Sequence, residues 1–163
     1  ALNWPSSKVI GIDGSLEMLK IAEKRKDNLK FKKEFGDVSY LHHQLSFLEE
    51  SNFLDPADVL VSNSFLHHIH DPSQFWNVIK NLGKEGCLVF NRDLRRPSTN
   101  EEALLLVNKY QPDAPTILIK DYLASLHAAF TVNEVQEQIK EAGLYQLKVF
   151  EVGDRYLDVV GVL

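Results

Sequence analysis

Apolar positions along the chain form two kinds of pattern. Some are short continuous runs, as in buried strands; others recur every three to four residues, as on one face of a helix. Lys8-Val9-Ile10-Gly11-Ile12 reads as a buried strand that Asp13-Gly14-Ser15 breaks. Leu16, Leu19 and Ala22 then recur at helical spacing, with charges on the other face. Ser15 is placed to cap that helix, and Glu17 in its first turn suits the helix dipole. A second strand falls within residues 38–45, where His42, His43 and Gln44 interrupt the apolar pattern. Ala57-Asp58-Val59-Leu60-Val61 is a third strand, ending at Ser62-Asn63-Ser64.

Asp71-Pro72-Ser73-Gln74 marks a helix start, with Asp at the cap and Pro at the first position. Phe75, Val78, Ile79 and Leu82 form its apolar stripe, and Gly83 stops it. Residues 86–90 read as a fourth strand, continuously apolar as parallel strands buried on both faces are. Residues 97–130 differ. Thr99 and Glu102 make a capping-box pattern ahead of one helix. Gln111-Pro112-Asp113-Ala114-Pro115 breaks it, and Ile119, Tyr122, Leu123, Leu126 and Phe130 line a second. These two helices form an insertion suited to covering a site. Thr131 and Glu134 cap a further helix that Gly143 ends. Strands at about residues 145–152 and 156–162 follow, joined by Gly153-Asp154-Arg155. That link is too short for a parallel crossover, so the pair is an antiparallel hairpin.

The alternation predicts an α/β fold with a mostly parallel sheet, helices on both faces and a closing antiparallel hairpin. Plain dinucleotide-binding sheets are wholly parallel, so the hairpin separates this chain from them. The length, 163 residues, suits one domain. No apolar run reaches the ~18 residues of a membrane helix, so no membrane partner is expected. The single cysteine, Cys87, makes no internal disulfide, and a reducing, cytoplasmic setting is the default. A net charge of −5 argues against a nucleic-acid surface and favours a small-molecule partner.

In open α/β sheets ligands bind beyond the carboxyl ends of the strands. Three such ends carry chemistry. Asp13 can accept both hydroxyls of a ribose, or can merely cap the next helix. Residues 62–71 read Ser-Asn-Ser-Phe-Leu-His-His-Ile-His-Asp. His67 and His70 sit one helical turn apart, but no carboxylate or cysteine with metal spacing accompanies them, and no metal is expected. A histidine general base fits better, since imidazole titrates near neutral pH. Arg92, Asp93, Arg95 and Arg96 crowd the end of the fourth strand. Their guanidinium groups suit a substrate carboxylate or phosphate, or pair internally with Asp93 or cap nearby loops. His42 and His43 carry no assigned role.

These residues resemble class I S-adenosylmethionine-dependent methyltransferases. Val9 to Ser15, with Met18, Leu19 and Ala22, resembles the family's second motif; Asp58 to Pro72 resembles its fourth-strand motif. Phe75, Trp76, Ile79, Leu82 and Gly86 continue the match, and the closing hairpin agrees with it. The resemblance implies a Rossmann-like sheet in a single domain over 1–163, with the insertion at about 97–130 covering the substrate. It implies that Asp13 binds the ribose of S-adenosylmethionine, with Gly14 and Ser15 beside it and Met18 near the adenine. Gln44 and Leu45 fall near the adenine, where the family usually has an acidic residue. Ser62 and Asn63 lie by the methionine part, and His67 and His68 on the substrate side, one of them the candidate base. The activity implied is methyl transfer to a small-molecule acceptor; the fourth strand lacks the Asn-Pro-Pro-Tyr of amino-group enzymes acting on nucleic acid.

The family's first strand and Gly-x-Gly-x-Gly loop have no counterpart in this chain. Ala1-Leu2-Asn3-Trp4-Pro5 reads as the last turn of the helix that follows that loop. The gap lies between the Val9 and Val59 strands, each of which needs a partner. Three explanations are open: an excerpt of a longer protein, which is preferred; a truncated product completed by another chain, a homo-oligomer included; or a non-catalytic remnant. A nicotinamide-dependent oxidoreductase is a weaker alternative.

Overall fold

The computed structural model describes residues 6–29, 37–50 and 54–163. The helical turn read at Ala1 to Pro5 lies outside the described residues. The chain divides into two compact units, residues 1–52 and 53–163.

The first unit is a parallel strand pair with helices. β1 (Lys8–Asp13) pairs with β2 (Asp37–His42), Lys8 opposite Asp37 and Asp13 opposite His42. α1 (Leu16–Leu29) connects them, and α2 (Leu45–Glu50) follows β2. Leu45 therefore opens a helix rather than closing a strand. The strand ends at His42, and the Gln44 carbonyl already accepts the Leu48 amide at 3.4 Å.

The second unit holds four strands in the order β3 (Ala57–Asn63), β4 (Gly83–Leu94), β6 (Tyr156–Val162), β5 (Lys148–Val152). β3 and β4 run parallel; β6 is antiparallel to both β4 and β5. The hairpin is thus present, although β5 begins at Lys148 rather than 145. β4 is longer than its apolar run. It continues through Asn91, Arg92 and Asp93 because β6 offers a hydrogen-bond ladder from Leu88–Val162 to Leu94–Tyr156. A neighbouring strand overrides a polar local sequence.

One face of this sheet is closed. Cys87, Val89, Asn91 and Asp93 alternate along β4 and are all buried. α3 (Pro72–Leu82) and α6 (Val132–Glu141) make up that layer. Trp76 is fully buried, packs edge-on to Phe75 at 4.8 Å and donates to Gln138 Oε1 on α6 at 3.1 Å. Asp71 caps α3 by accepting the Ser73 amide, and Thr131 with Glu134 forms a complete capping box on α6. α6 ends at Gly143, whose φ of 72° suits glycine. The Leu144 amide reaches back to Ile139 O at 2.9 Å and that of Gly143 to Lys140 O at 3.0 Å. The other face is open: Val59, Val61, Leu88, Phe150 and Val162 are about half or more exposed. The apolar run of β4 is therefore buried on one side only within this unit.

α4 (Asn100–Tyr110) and α5 (Thr116–Ala128) occupy the inserted region. Ala103, Leu106 and Val107 of α4 bury against Leu126 of α5, Ala129 and Leu94, with Ile119, Tyr122 and Leu123 packed alongside. No helix among the described residues is long and apolar enough to cross a membrane.

Candidate functional site

The two strands of the first unit bring their carboxyl ends together. The His43 amide donates to Asp13 O at 3.2 Å, and His42 Nε2 lies 3.0 Å from Gly14 O. A ring nitrogen facing a carbonyl must carry the proton, so His42 donates and ties down the loop. His42, without a role from sequence, is thus a loop anchor. Asp13 Oδ1 accepts the Ser15 amide at 2.7 Å, and Ser15 Oγ accepts the Met18 amide at 3.3 Å. Ser15 is the helix cap; Asp13 closes the turn before it. A carboxylate accepts about four hydrogen bonds, so this one leaves Asp13 capacity for a diol. Asp13 is half-buried and Gln44 exposed. Leu16, Met18 and Ile21 present apolar surface at the start of α1. A polar acceptor beside exposed apolar side chains fits a nucleoside, whose ribose is polar and whose base is flat and apolar-faced.

In the second unit, Ser62 pairs with Asn91 and Asn63 with Arg92 at the ends of β3 and β4. The next residue, Ser64, has a φ of 52°. A left-handed serine costs roughly 1–2 kcal/mol, and here its amide is held by Arg92 O at 2.8 Å. The chain then makes one tight helical turn, Leu66–His68. Asp93 organises it. Its Oδ2 accepts the amides of Phe65 at 2.8 Å and Leu66 at 2.6 Å. Its Oδ1 accepts the Leu94 amide at 2.7 Å and lies 2.5 Å from His67 Nδ1. The His67 and Asp93 side chains are 4% and 2% exposed. His68 is exposed, its ring 4.0 Å from that of His67. Partial burial and then the neighbouring His67 hold the His68 imidazole below its usual pKa, with Asp93 opposing them. A histidine so shifted is neutral near pH 7 and able to take a proton. Among the described residues no group of three His, Cys, Asp or Glu side chains is arranged to hold a metal.

The arginines at the end of β4 and just after it do not pair with Asp93. Arg92 binds Asp158 through two bonds of 2.7 and 2.6 Å. Arg96 pairs with Glu134, and Arg95 meets the carbonyls of Gly153 and Asp154. Sequence reading names Asp93 only as a partner for the arginines; the structure makes it the organiser of the histidine turn. The available signal was alternation: Cys87, Val89, Asn91 and Asp93 share one strand face, so an acid there is buried and needs donors. Asn91 is fully buried, and neither its Oδ1 nor its Nδ2 has a hydrogen-bond partner. Arg155 lies 3.6 Å over the Tyr110 ring and 4.7 Å from the Tyr156 ring centre, and donates to the Tyr122 hydroxyl at 3.2 Å. This cluster ties α4 and α5 to the β5–β6 hairpin.

The strand orders and the closing hairpin define a Rossmann-like class I methyltransferase fold. A family model described as a methyltransferase domain matches residues 2–145, and the chain belongs to that family. Solved structures agree in fold. A SAM dependent methyltransferase from Aquifex aeolicus is 19% identical with a TM-score of 0.63, covering 95% of this chain and 68% of that one. The plantazolicin methyltransferase BpumL, in complex with SAH, is 12% identical with a TM-score of 0.70, covering 98% and 68%. An arsenic (III) S-adenosylmethionine methyltransferase from Chlamydomonas reinhardtii is 14% identical with a TM-score of 0.63, covering 96% and 55%. No curated protein matches the chain.

Proposed function

We propose that this chain carries out S-adenosylmethionine-dependent methyl transfer to a small-molecule acceptor. The observation that carries the reading is the Asp13-Gly14-Ser15 turn at the end of β1. There a half-buried carboxylate keeps acceptor capacity beside the exposed apolar start of α1. Family membership supports it, as does the binding of SAH by the structurally similar plantazolicin enzyme. The cofactor supplies an activated methyl group on a sulfonium. Asp13 takes the ribose hydroxyls, with Gly14 and Ser15 beside it. Met18 packs on the adenine, and Gln44 and Leu45 meet its edge. Ser62 and Asn63 line the methionine part. His68, held against His67, takes the proton of an acceptor that carries one. The two helices within 97–130 exclude water from the acceptor. Methyl transfer of this kind works mainly by positioning.

Calorimetric titration with S-adenosylhomocysteine tests the reading. Saturable binding at one site, weakened at least about tenfold by Asp13→Ala, is the expected result, in line with loss of a charged hydrogen-bond partner. Equal affinity in the variant sinks the assignment of Asp13.

A second reading has its own observation. Among the described residues, β3 pairs only with β4, and its Val59 and Val61 side chains are exposed on the open face. An unpaired strand edge is a template for another strand. On this reading the chain functions in assembly with a further segment or copy. Sedimentation showing a stable monomer with well-protected β3 amides counts against it.

A further inference from the structure

We propose that Asp93 is a positioning residue of this site, fixing His67 in its Nδ1–H form and seating the stacked His68 ring at the end of β3. The proposal rests on the methyl-transfer reading for what the histidines do, but not for the state of His67 itself.

Three of the donors on the Asp93 carboxylate are backbone amides: Phe65, Leu66 and Leu94. Amides cannot reverse their role. The fourth contact, His67 Nδ1 at 2.5 Å, shares Oδ1 with the Leu94 amide. A carboxylate oxygen already engaged as acceptor can only accept again, so Nδ1 carries the proton. Burial of both side chains removes water as a competing partner and strengthens each bond. The same carboxylate shapes the backbone. It grips Phe65 and Leu66, whose carbonyls accept the amides of His68 at 3.0 Å and Ile69 at 3.1 Å to close the turn. His68 is therefore placed twice by Asp93: through the turn on which it sits, and through the His67 ring 4.0 Å from its own. Partners that orient a functional histidine in this way act by fixing tautomer and direction.

Asp93→Asn exposes the dependence, because an amide has one accepting end. If its oxygen stays on the Phe65 and Leu66 amides, its NH2 faces His67, which must then accept through Nδ1 and move its proton to Nε2. If the NH2 turns the other way, it faces those two amides and the turn loosens.

Long-range 1H–15N correlation spectra of the imidazoles read the tautomer directly in the full chain. The expected result is His67 protonated at Nδ1 in the unaltered protein; in Asp93→Asn either that form is lost or the Phe65 and Leu66 amide signals are displaced. Methyl transfer is expected to lose about tenfold or more in kcat, as when an orienting outer partner is removed, with a smaller change in KM. An Nε2–H His67 in the unaltered protein overturns the proposal. So does an Nδ1–H His67 that survives Asp93→Asn with the Phe65 and Leu66 amide signals unmoved, or an unchanged kcat once the tautomer has moved or the turn has loosened. Should Asp93→Asn not fold, His67→Gln keeps a donor facing Asp93, and an undiminished kcat in that variant overturns the proposal. If the chain binds no S-adenosylhomocysteine, the methyl-transfer reading fails on its own, and the tautomer spectra still decide what Asp93 does to His67.

Discussion

The strand ends of the two units are built in opposite ways. At the end of β1 the candidate ligand group, Asp13, is half-buried and held by one local amide, next to apolar side chains left in solvent. At the end of β3 the histidine turn is closed on itself, with Asp93 taking four donors and almost no surface showing. The first kind of end keeps acceptor capacity for a ligand. The second is finished before anything binds, and so suits a task that demands fixed geometry. Binding a nucleoside tolerates small adjustments of a loop; aligning a base with a reacting atom does not.

Four changes test this contrast. The largest effect is expected at the closed end's support. Trp76→Ala removes a fully buried ring and the Gln138 hydrogen bond between α3 and α6. It should cost about 3–5 kcal/mol in denaturant unfolding. A loss under about 1 kcal/mol would mean that this layer does not hold the sheet. Asp13→Ala should do the reverse, lowering S-adenosylhomocysteine affinity about tenfold or more while thermal unfolding barely moves. A large stability loss there would mean that the open end is as structural as the closed one.

A smaller effect is expected at Asn91. Its amide is buried without partners, so Asn91→Val, nearer in volume than Leu and suited to a strand, should raise stability by about 1 kcal/mol, read as a higher Tm. Destabilisation would reveal that Asn91 is engaged after all. The smallest effect concerns Asp154 in the hairpin turn. Lys109 and then Tyr110 hold its carboxyl at about 2, below the usual 3.8. A carboxyl depressed on folding stabilises above its unfolded pKa, and that contribution fades as pH falls through the folded one. Acid titration between pH 4 and 2 should therefore release the hold of the hairpin on α4, monitored by Tyr110 signals. Asp154→Asn should abolish this step; the same step in the variant would assign it to another group.

Much of this was legible in order along the chain. The capping pairs at Ser15, Asp71, Thr99 and Thr131 act on amides at most three residues away, so a short window contains the whole interaction. The same holds for Gly143, where the turn itself needs a positive φ. The reach of β4 was not legible, because its last residues are polar and only the β6 ladder makes them strand. Nor was the partner of Asp93. Its nearest charges in sequence are arginines, yet those go to Asp158, Glu134 and the hairpin carbonyls.

The kind and order of most elements, the antiparallel closure and the family follow from local sequence, though α2 and the turn at Leu66–His68 do not. Periodicity, capping chemistry and the length of the Gly153-Asp154-Arg155 link are local properties. Packing in three dimensions seals one face of the second sheet with α3 and α6 and leaves the other open. It alone brought Asp93 against His67, 26 residues away along the chain. A buried carboxylate takes whichever donors the packed strands bring to it, and that choice is made in space.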